Sequence, residues 1–318
     1  MNLPYQQQFD IDMILKKLFT VALCLLTLHV FAQQKLNIFH IVDSNTNQAA
    51  PFVSVTILRA RLSITTEKDG IFIIPGNLTT MKDTVVFAAQ NYIQQKFPLN
   101  SLAHLDTIRL IHDEITTSII SQKYTKDTLL NDFDKNEIWH YAGFDTETAH
   151  FDYYQLAQQF EAPKTGARIK RLKIARLAFN DEGWGYEQVT YRLRFYDVDQ
   201  ATHGPGKELT GKTIEINNEE DRQSGISLGK YNIVIPQKSF FVAIEWLRSN
   251  YNEGYSVFYD RKAKMQRKVT NYRPAIGIVP KTGKKLNMWA LNFKHQWQPY
   301  TYFMPFGTDL AIKATVEY

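Results

Sequence analysis

Short segments in which every second residue is apolar, separated by turn-forming residues, run through most of the sequence. Val53, Val55 and Ile57, for example, alternate with Ser54 and Thr56. A period of two places successive side chains on opposite faces of a strand, so this pattern predicts sheets with one face buried. Aromatic residues make up 13% of the 318 residues, and aromatic side chains favour sheet surfaces. We therefore predict an all-β protein.

Residues 33–111 are predicted to form a first, small domain. Asp69-Gly70 lies between the apolar runs 62–66 and 71–74, which predicts a hairpin. Gln90-Asn91 joins the runs 85–89 and 92–97 in a second predicted pair. Seven short strands over this stretch predict a small β-sandwich.

Four segments of this domain carry a resemblance to a known family: 51–57 (PFVSVTI), 66–74 (TEKDGIFII), 83–87 (DTVVF) and Asn91-Tyr92. They look like the carboxypeptidase-like regulatory domain. The resemblance implies a seven-stranded, transthyretin-like sandwich of the kind common near the N-termini of Bacteroidota envelope proteins. The family usually has Gly where this chain has Phe39 and Asn91. Asn is the next best residue for a left-handed turn.

The first 32 residues are typical of a signal peptide. Lys16 and Lys17 precede an uncharged apolar run over 18–32, and Val30 and Ala32 supply the small residues before a cleavage site. The run has 15 residues, whereas a bilayer-spanning helix needs about 20. We expect export to the periplasm, the outer membrane or the cell exterior, and no integral membrane domain after cleavage.

Two alternatives for this segment stay open, a retained membrane anchor and lipidation at Cys24. Met13 is an alternative start, because residues 1–12 are polar and unlike the beginning of a signal peptide. Cleavage after Ala32 would leave no cysteine and hence no disulfide. The net charge of +5 is small for this length and does not favour nucleic-acid binding.

Residues 139–318 are predicted to form a larger, jelly-roll-like β domain, joined to the first by a linker or short helix over 112–138. Clear alternation occurs over 189–196 and 240–246. Trp246 falls on the apolar face of the second run, which predicts a core position. The apolar phase changes near Ala175, which predicts a β-bulge.

No catalytic motif stands in the sequence. No histidine begins a His-x-x-Glu or His-Glu-x-x-His arrangement, and neither a Gly-x-Ser-x-Gly elbow nor a P-loop occurs. We expect a non-catalytic envelope protein without a cofactor, with a glycan or an envelope protein as partner. About 180 residues cannot supply a 22-stranded transporter barrel. The alternative is a hydrolase with a dispersed carboxylate site drawn from Asp181, Glu182, Glu245 and Asp260.

The candidate ligand site is the loop around Trp184. This ring lies among glycines, beside Asp181, Glu182 and Tyr186. An aromatic ring between carboxylates can stack on a sugar face while the acids accept hydroxyl hydrogen bonds. The alternative is a ring folded back on the sandwich.

Two further features admit a functional and a structural interpretation. Asp197 and Asp199 lie two residues apart before a turn, a spacing that suits calcium ligands. The structural alternative is that both carboxylates cap their own turn. Basic residues cluster over 164–176 and 261–268. The second cluster has five cations in eight residues, a density that suits binding of lipopolysaccharide or an acidic glycan. The structural alternative is a solvated hairpin loop whose charges keep a sheet edge from aggregating.

Overall fold

The computed structural model describes residues 36–113, 123–145, 152–177, 189–217, 225–281 and 286–318. Within these ranges the regular structure consists of 22 strands and five short 3-10 turns, so the all-β prediction is confirmed. No helix among these residues has the length and apolar character needed to cross a membrane.

The first sandwich has the seven strands that the sequence predicts. They are β1 (Leu36–Asp43), β2 (Ser54–Ile57), β3 (Leu62–Thr65), β4 (Ile71–Pro75), β5 (Thr84–Ala88), β6 (Gln95–Pro98) and β7 (Thr107–Leu110). One sheet has the order β4-β1-β7 and the other β3-β2-β5-β6. The core between them is apolar and includes the stacked rings of Phe39 and Phe72, whose centroids are 4.7 Å apart.

Of the two predicted hairpins in this sandwich, one is confirmed and one is wrong. β5 pairs antiparallel with β6, and Asn91 between them has φ +67°. Asp69-Gly70, by contrast, connects different sheets, because β3 pairs with β2 and β4 with β1. Gly70 has φ +68°, and a Cβ there would lie 2.5 Å from the carbonyl oxygen of Ile41. The dipeptide therefore serves a tight crossing between sheets.

The larger sandwich uses the remaining strands. They are β8 (Asp127–Leu130), β9 (His140–Asp145), β10 (Tyr153–Glu161), β11 (Arg168–Ile174), β12 (Thr190–Val198), β13 (Pro205–Glu208), β14 (Ile214–Asn217), β15 (Ile226–Ser227), β16 (Ser239–Trp246), β17 (Glu253–Asp260), β18 (Met265–Lys281), β19 (Met288–Asn292), β20 (Trp297–Pro299), β21 (Gly307–Leu310) and β22 (Ile312–Glu317). A seven-stranded sheet has the order β13-β12-β16-β10-β19-β20, with β14 beside β12. Two four-stranded sheets, β15-β11-β22-β8 and β17-β18-β21 with β9 beside β18, complete the domain.

The main core of this sandwich lies between its sheets, as the alternation predicts. Leu193, Phe195, Val242 and Ile244 are fully buried there. Trp246 is 1% exposed, and its indole Nε1 donates to the carbonyl oxygen of Pro274 at 2.7 Å. The predicted core position of Trp246 is confirmed.

Two local expectations for the chain around this sandwich differ from the structure. In the described part of the expected linker or short helix (112, 113 and 123–138), residues 127–130 form β8 and pair with β22, and only Lys135–Glu137 make a 3-10 turn. Pairing with the edge of β22 satisfies backbone groups that a linker would leave to water. The register shift in β11 lies between Ile169 and Arg171, earlier than expected. At Ala175 the chain instead moves beside β18, since its carbonyl oxygen accepts from the amide of Gly277 at 2.9 Å.

The two sandwiches are joined through faces that the alternation marks as polar. All four residues of β2 are buried, because the Ser54 and Thr56 face lies against the larger sandwich and not in solvent. The hydroxyl of Tyr154 hydrogen-bonds to Thr56 and, at 2.9 Å, to Ser63. The amide of Thr65 donates to the carbonyl oxygen of Arg248 at 3.1 Å. The expectation of one buried face per strand therefore fails at this interface.

An ionic cluster of the larger sandwich also contacts the first sandwich at this interface. Arg194 donates to both oxygens of Glu208 at 2.6 Å and to Glu245 at 3.0 Å, and all three side chains are at most 14% exposed. Gln90 of the first sandwich donates to Glu208 at 2.9 Å. Burial raises the pKa of Glu208, and Arg194 opposes that shift. The guanidinium of Arg192, next to this cluster, stacks over the ring of Phe52 at 5.1 Å.

Candidate functional site

A groove opens in the larger sandwich where the beginning of β10, the β19–β20 hairpin and the chain after β20 meet. Its cavity volume is about 90 Å³, below the roughly 300–1,000 Å³ of a pocket that encloses a small ligand, so it accommodates part of a ligand rather than enclosing one. Its walls include Asp152, Asn292, Gln298, Tyr300 and Tyr302. We take this groove as the candidate site because it combines a carboxylate, two amides and two phenol rings.

The turn between β19 and β20 shapes the amide side of the groove. The side-chain oxygen of Asn292 accepts from the amides of Lys294 and Gln296 at 2.9 and 3.0 Å. Its side-chain nitrogen donates to Oε1 of Gln298 at 3.2 Å. Asn292 thus holds the turn, and the exposed Gln298 keeps its own NH₂ group available as a donor toward a ligand.

Asp152 is held by arginines from both sandwiches. Arg61, on the first sandwich, donates to one carboxylate oxygen at 2.8 Å, and Arg248 donates to the other at 3.3 Å. The side chain of Arg248 is only 2% exposed and lies over the ring of Tyr154, 4.3 Å from its centroid. Because its cationic partners fix it, this carboxylate is suited to accept hydroxyl hydrogen bonds.

Next to Arg248 lies His295, which closes the turn at φ +58°. Its ring stacks on the interface residue Tyr154, with centroids 4.3 Å apart. Burial and the nearby charge of Arg248 lower the pKa of His295 to about 4. The imidazole is therefore neutral at physiological pH and supports the groove without adding charge.

Aromatic residues form the opposite side of the groove and continue beyond it. Tyr300 is 7% exposed, and its hydroxyl has no hydrogen-bond partner among the described residues. Burial raises the pKa of that hydroxyl, so it stays protonated. Tyr302 is 42% exposed. Beyond it, Phe303 contacts Trp139 at 5.7 Å between centroids, and Trp139 contacts the exposed Phe306 at 5.8 Å.

We call Trp139, Tyr302 and Phe306 the aromatic surface. Their exposed fractions are 54%, 42% and 60%, which are large values for rings of this size. The signal in the sequence is the run Tyr300-Thr301-Tyr302-Phe303-Met304-Pro305-Phe306. Four aromatic residues in seven, with no alternation, do not fit a half-buried strand. The run was missed as a site signal, and the polar groups of the groove belong to no spaced motif that could have revealed them.

The predicted loop site cannot be compared with this groove, since Trp184, Tyr186, Asp181 and Glu182 lie outside the described residues. They remain candidates from the sequence alone. Of the remaining carboxylates in the hydrolase alternative, Glu245 belongs to the buried Arg194 cluster. Asp260 caps a hairpin turn and faces Arg267.

The two aspartates considered for calcium are engaged in turns. Asp199 accepts from the amides of Ala201 and Thr202 at 3.1 and 2.7 Å, and these bonds, led by that from Thr202, lower its pKa. Asp197 accepts from the amide of Lys207 at 2.5 Å. In the described part of the chain, no group of three or more His, Cys, Asp or Glu side chains is arranged to hold a metal ion.

The first basic cluster is partly neutralised by ion pairs. Lys170 lies 2.6 Å from Asp127, and Arg168 pairs with Glu317. The second cluster surrounds an exposed turn between β17 and β18. Of the two, the second cluster presents its charge as a continuous exposed segment.

No protein-family model matches the sequence, and no curated protein is similar to it.

Proposed function

We propose that this chain is an exported, non-catalytic protein of the cell envelope whose larger sandwich binds a glycan in the groove beside Tyr302. The observation that carries the proposal is the pairing of an exposed ring with fixed polar groups. Tyr302 offers a flat apolar face, Asp152 offers acceptors, and Gln298 offers donors. Sugars present both an apolar ring face and hydroxyls that donate and accept, so this combination suits them.

The first sandwich would serve as a fixed docking module within this protein. Its resemblance to the carboxypeptidase-like regulatory domain and the signal-like residues 1–32 both support a place in the envelope. The direct contacts of Arg61 with Asp152 and of Gln90 with Glu208 support a rigid connection. Arg61 also brings the first sandwich to the rim of the groove.

A protein ligand is the second candidate, and the aromatic surface favours it. Trp139 and Phe306 are exposed by more than half, and Met304 beside them is 47% exposed. Exposed apolar patches mark protein interaction sites as well as ligand grooves. A protein partner would need the aromatic surface but not Gln298.

A glycan array with the purified protein tests the proposal. We expect binding of one or a few glycans, about 5- to 30-fold weaker in Tyr302→Ala and Gln298→Ala, since each removes contacts worth about 1–2 kcal/mol. Tyr251→Ala is the matched control, because this tyrosine is 46% exposed and lies outside the groove. Equal loss in the control, or no glycan binding by any form, would contradict the proposal. Capture of an envelope protein that depends on Trp139 but not Gln298 would favour the second candidate.

A further inference from the structure

The hairpin formed by β17 and the first part of β18 extends away from its sheet. Glu253–Asp260 pair residue by residue with 265–272 of β18. The other described partners of β18 begin further along, β9 at Asn271 and β21 at Ile278. Every residue from 261 to 268 is exposed. Among the described strands, the outer part of this hairpin is therefore paired only within itself.

The tip of the hairpin carries a concentrated positive charge. Residues 260–268 contain five cations and one carboxylate, which gives a formal charge of +4; the cations are Arg261, Lys262, Lys264, Arg267 and Lys268. That carboxylate, Asp260, accepts from the amides of residues 262 and 263 at 2.9 and 3.0 Å and lies 3.5 Å from Arg267. No carboxylate in the described ranges pairs with Lys262 or Lys264. Their charges are available to an anion.

Exposed apolar side chains accompany these cations. Val257 and Tyr259 are two residues apart, so they share one face of β17, and they are 40% and 59% exposed. Met265, opposite Asp260 and therefore on the other face of the hairpin, is 56% exposed. On the face of Val257 and Tyr259, the ammonium of Lys268 lies 3.7 Å from the ring centroid of Tyr255. The outer hairpin thus presents cations and apolar groups side by side.

We propose that the hairpin 255–268 docks on a lipid surface that displays phosphate headgroups. The cations would bind the phosphates, while Val257 and Tyr259 on one face, and Met265 beside the turn on the other, enter the boundary between headgroups and acyl chains. Tyrosine favours that boundary, and basic side chains beside it extend toward the headgroups. A soluble polyanion would use the cations alone and would give no reason for exposed Val and Met at the same tip. The mixed composition therefore favours a lipid surface over a soluble acidic polymer.

Vesicle co-sedimentation with the full chain tests this proposal. The probes are phosphatidylcholine vesicles and vesicles of equal parts phosphatidylcholine and phosphatidylglycerol. We expect binding only to the second kind, weakened about 30-fold in Lys262→Gln/Lys264→Gln, because each lysine near an anionic membrane strengthens binding about fivefold. The matched control is Lys68→Gln/Lys82→Gln, which removes two exposed lysines from the first sandwich.

A second pair of variants tests the apolar contribution. Val257→Ser and Tyr259→Ser should each weaken binding several-fold while leaving its salt dependence unchanged, since no charge is removed. Ile93→Ser, at a residue 48% exposed on the first sandwich, is the control and should bind like the parent protein. Thermal unfolding of every variant checks that the fold is retained, as expected for exposed positions.

Three outcomes would overturn the proposal. The first is equal sedimentation of the protein with neutral and anionic vesicles. The second is an equal loss of vesicle binding in the two double-lysine variants. The third is full vesicle binding by both serine variants together with displacement of the protein from vesicles by soluble heparin. The last result would assign the hairpin to an acidic polymer. None of these outcomes bears on the glycan groove, which uses other residues.

Discussion

Removal of Arg194 should strongly destabilise the protein, because the ionic cluster that it holds is buried between the two sandwiches. Its guanidinium makes three charge-assisted hydrogen bonds of 2.6, 2.6 and 3.0 Å with Glu208 and Glu245. In Arg194→Met both carboxylates would stay buried without their hydrogen-bonded cation, and only the longer-range attraction of Arg192 would remain. Breaking a buried pair in this way costs about 3–5 kcal/mol. For a cooperative unit of this size that corresponds to a fall in Tm of about 10 °C.

Urea or thermal denaturation followed by circular dichroism measures this loss, and a double-mutant cycle assigns it to the cluster. Glu208→Gln alone leaves Arg194 its bond to Glu245 and should cost less than Arg194→Met. The combined variant should be more stable than the sum of the single changes predicts, by at least about 1 kcal/mol, since the residues are coupled. Arg194→Lys keeps the charge but loses the two-pronged geometry and should fall in between.

Additive effects in this cycle would refute the reasoning. So would a loss below about 1 kcal/mol in Arg194→Met, the size expected of an exposed ion pair. Either result would mean that water reaches the cluster and that the sandwiches do not close over it.

Two further predictions concern the turns that position the groove and the first sandwich. His295 has a pKa of about 4 in the folded protein, against an ordinary value of 6.5, so it binds a proton more readily in the unfolded chain. Its contribution to stability is therefore fully present above pH 6.5 and is lost as the pH falls toward 4, by about 3 kcal/mol in all. Denaturation midpoints measured across this range should show a flatter pH dependence in His295→Gln, and identical slopes would contradict the assignment. Gly70→Ala should destabilise the protein by about 1–3 kcal/mol, because φ is +68° and the added Cβ would meet the carbonyl oxygen of Ile41. Chemical denaturation checks this, and an unchanged or higher midpoint would show that the crossing between sheets is not constrained as described.

Local signals in the sequence were sufficient for many of the strands in both sandwiches and for part of their pairing. The alternation around Trp246 placed its ring in the core, and Gln90-Asn91 marked a hairpin whose left-handed residue is Asn91. Asp69-Gly70 gave an equally strong turn signal, but its strands pair with different neighbours. A dipeptide determines that the chain turns, whereas the hydrogen-bond partners of the flanking strands depend on the rest of the sandwich.

The candidate site was much harder to derive from the sequence. Asp152 is far along the chain from Gln298 and Tyr302, and the three residues belong to no spaced motif. They meet because β10 pairs with β19 and because the chain after β20 folds back over that pair. The same arrangement brings Arg61 of the first sandwich to Asp152.

The sequence by itself determined that this chain forms strands, where many of them lie and which side of each is apolar, because these properties follow from the period of neighbouring side chains. Only the tertiary structure decided what covers the polar sides. Thr56 and Arg194 have the pattern of solvent-facing residues, yet each is buried where the two sandwiches meet. The physical reason is that burial of a polar face requires a partner with matching hydrogen bonds and charge. Such complementarity joins residues that are distant in the chain, so no local pattern can reveal it.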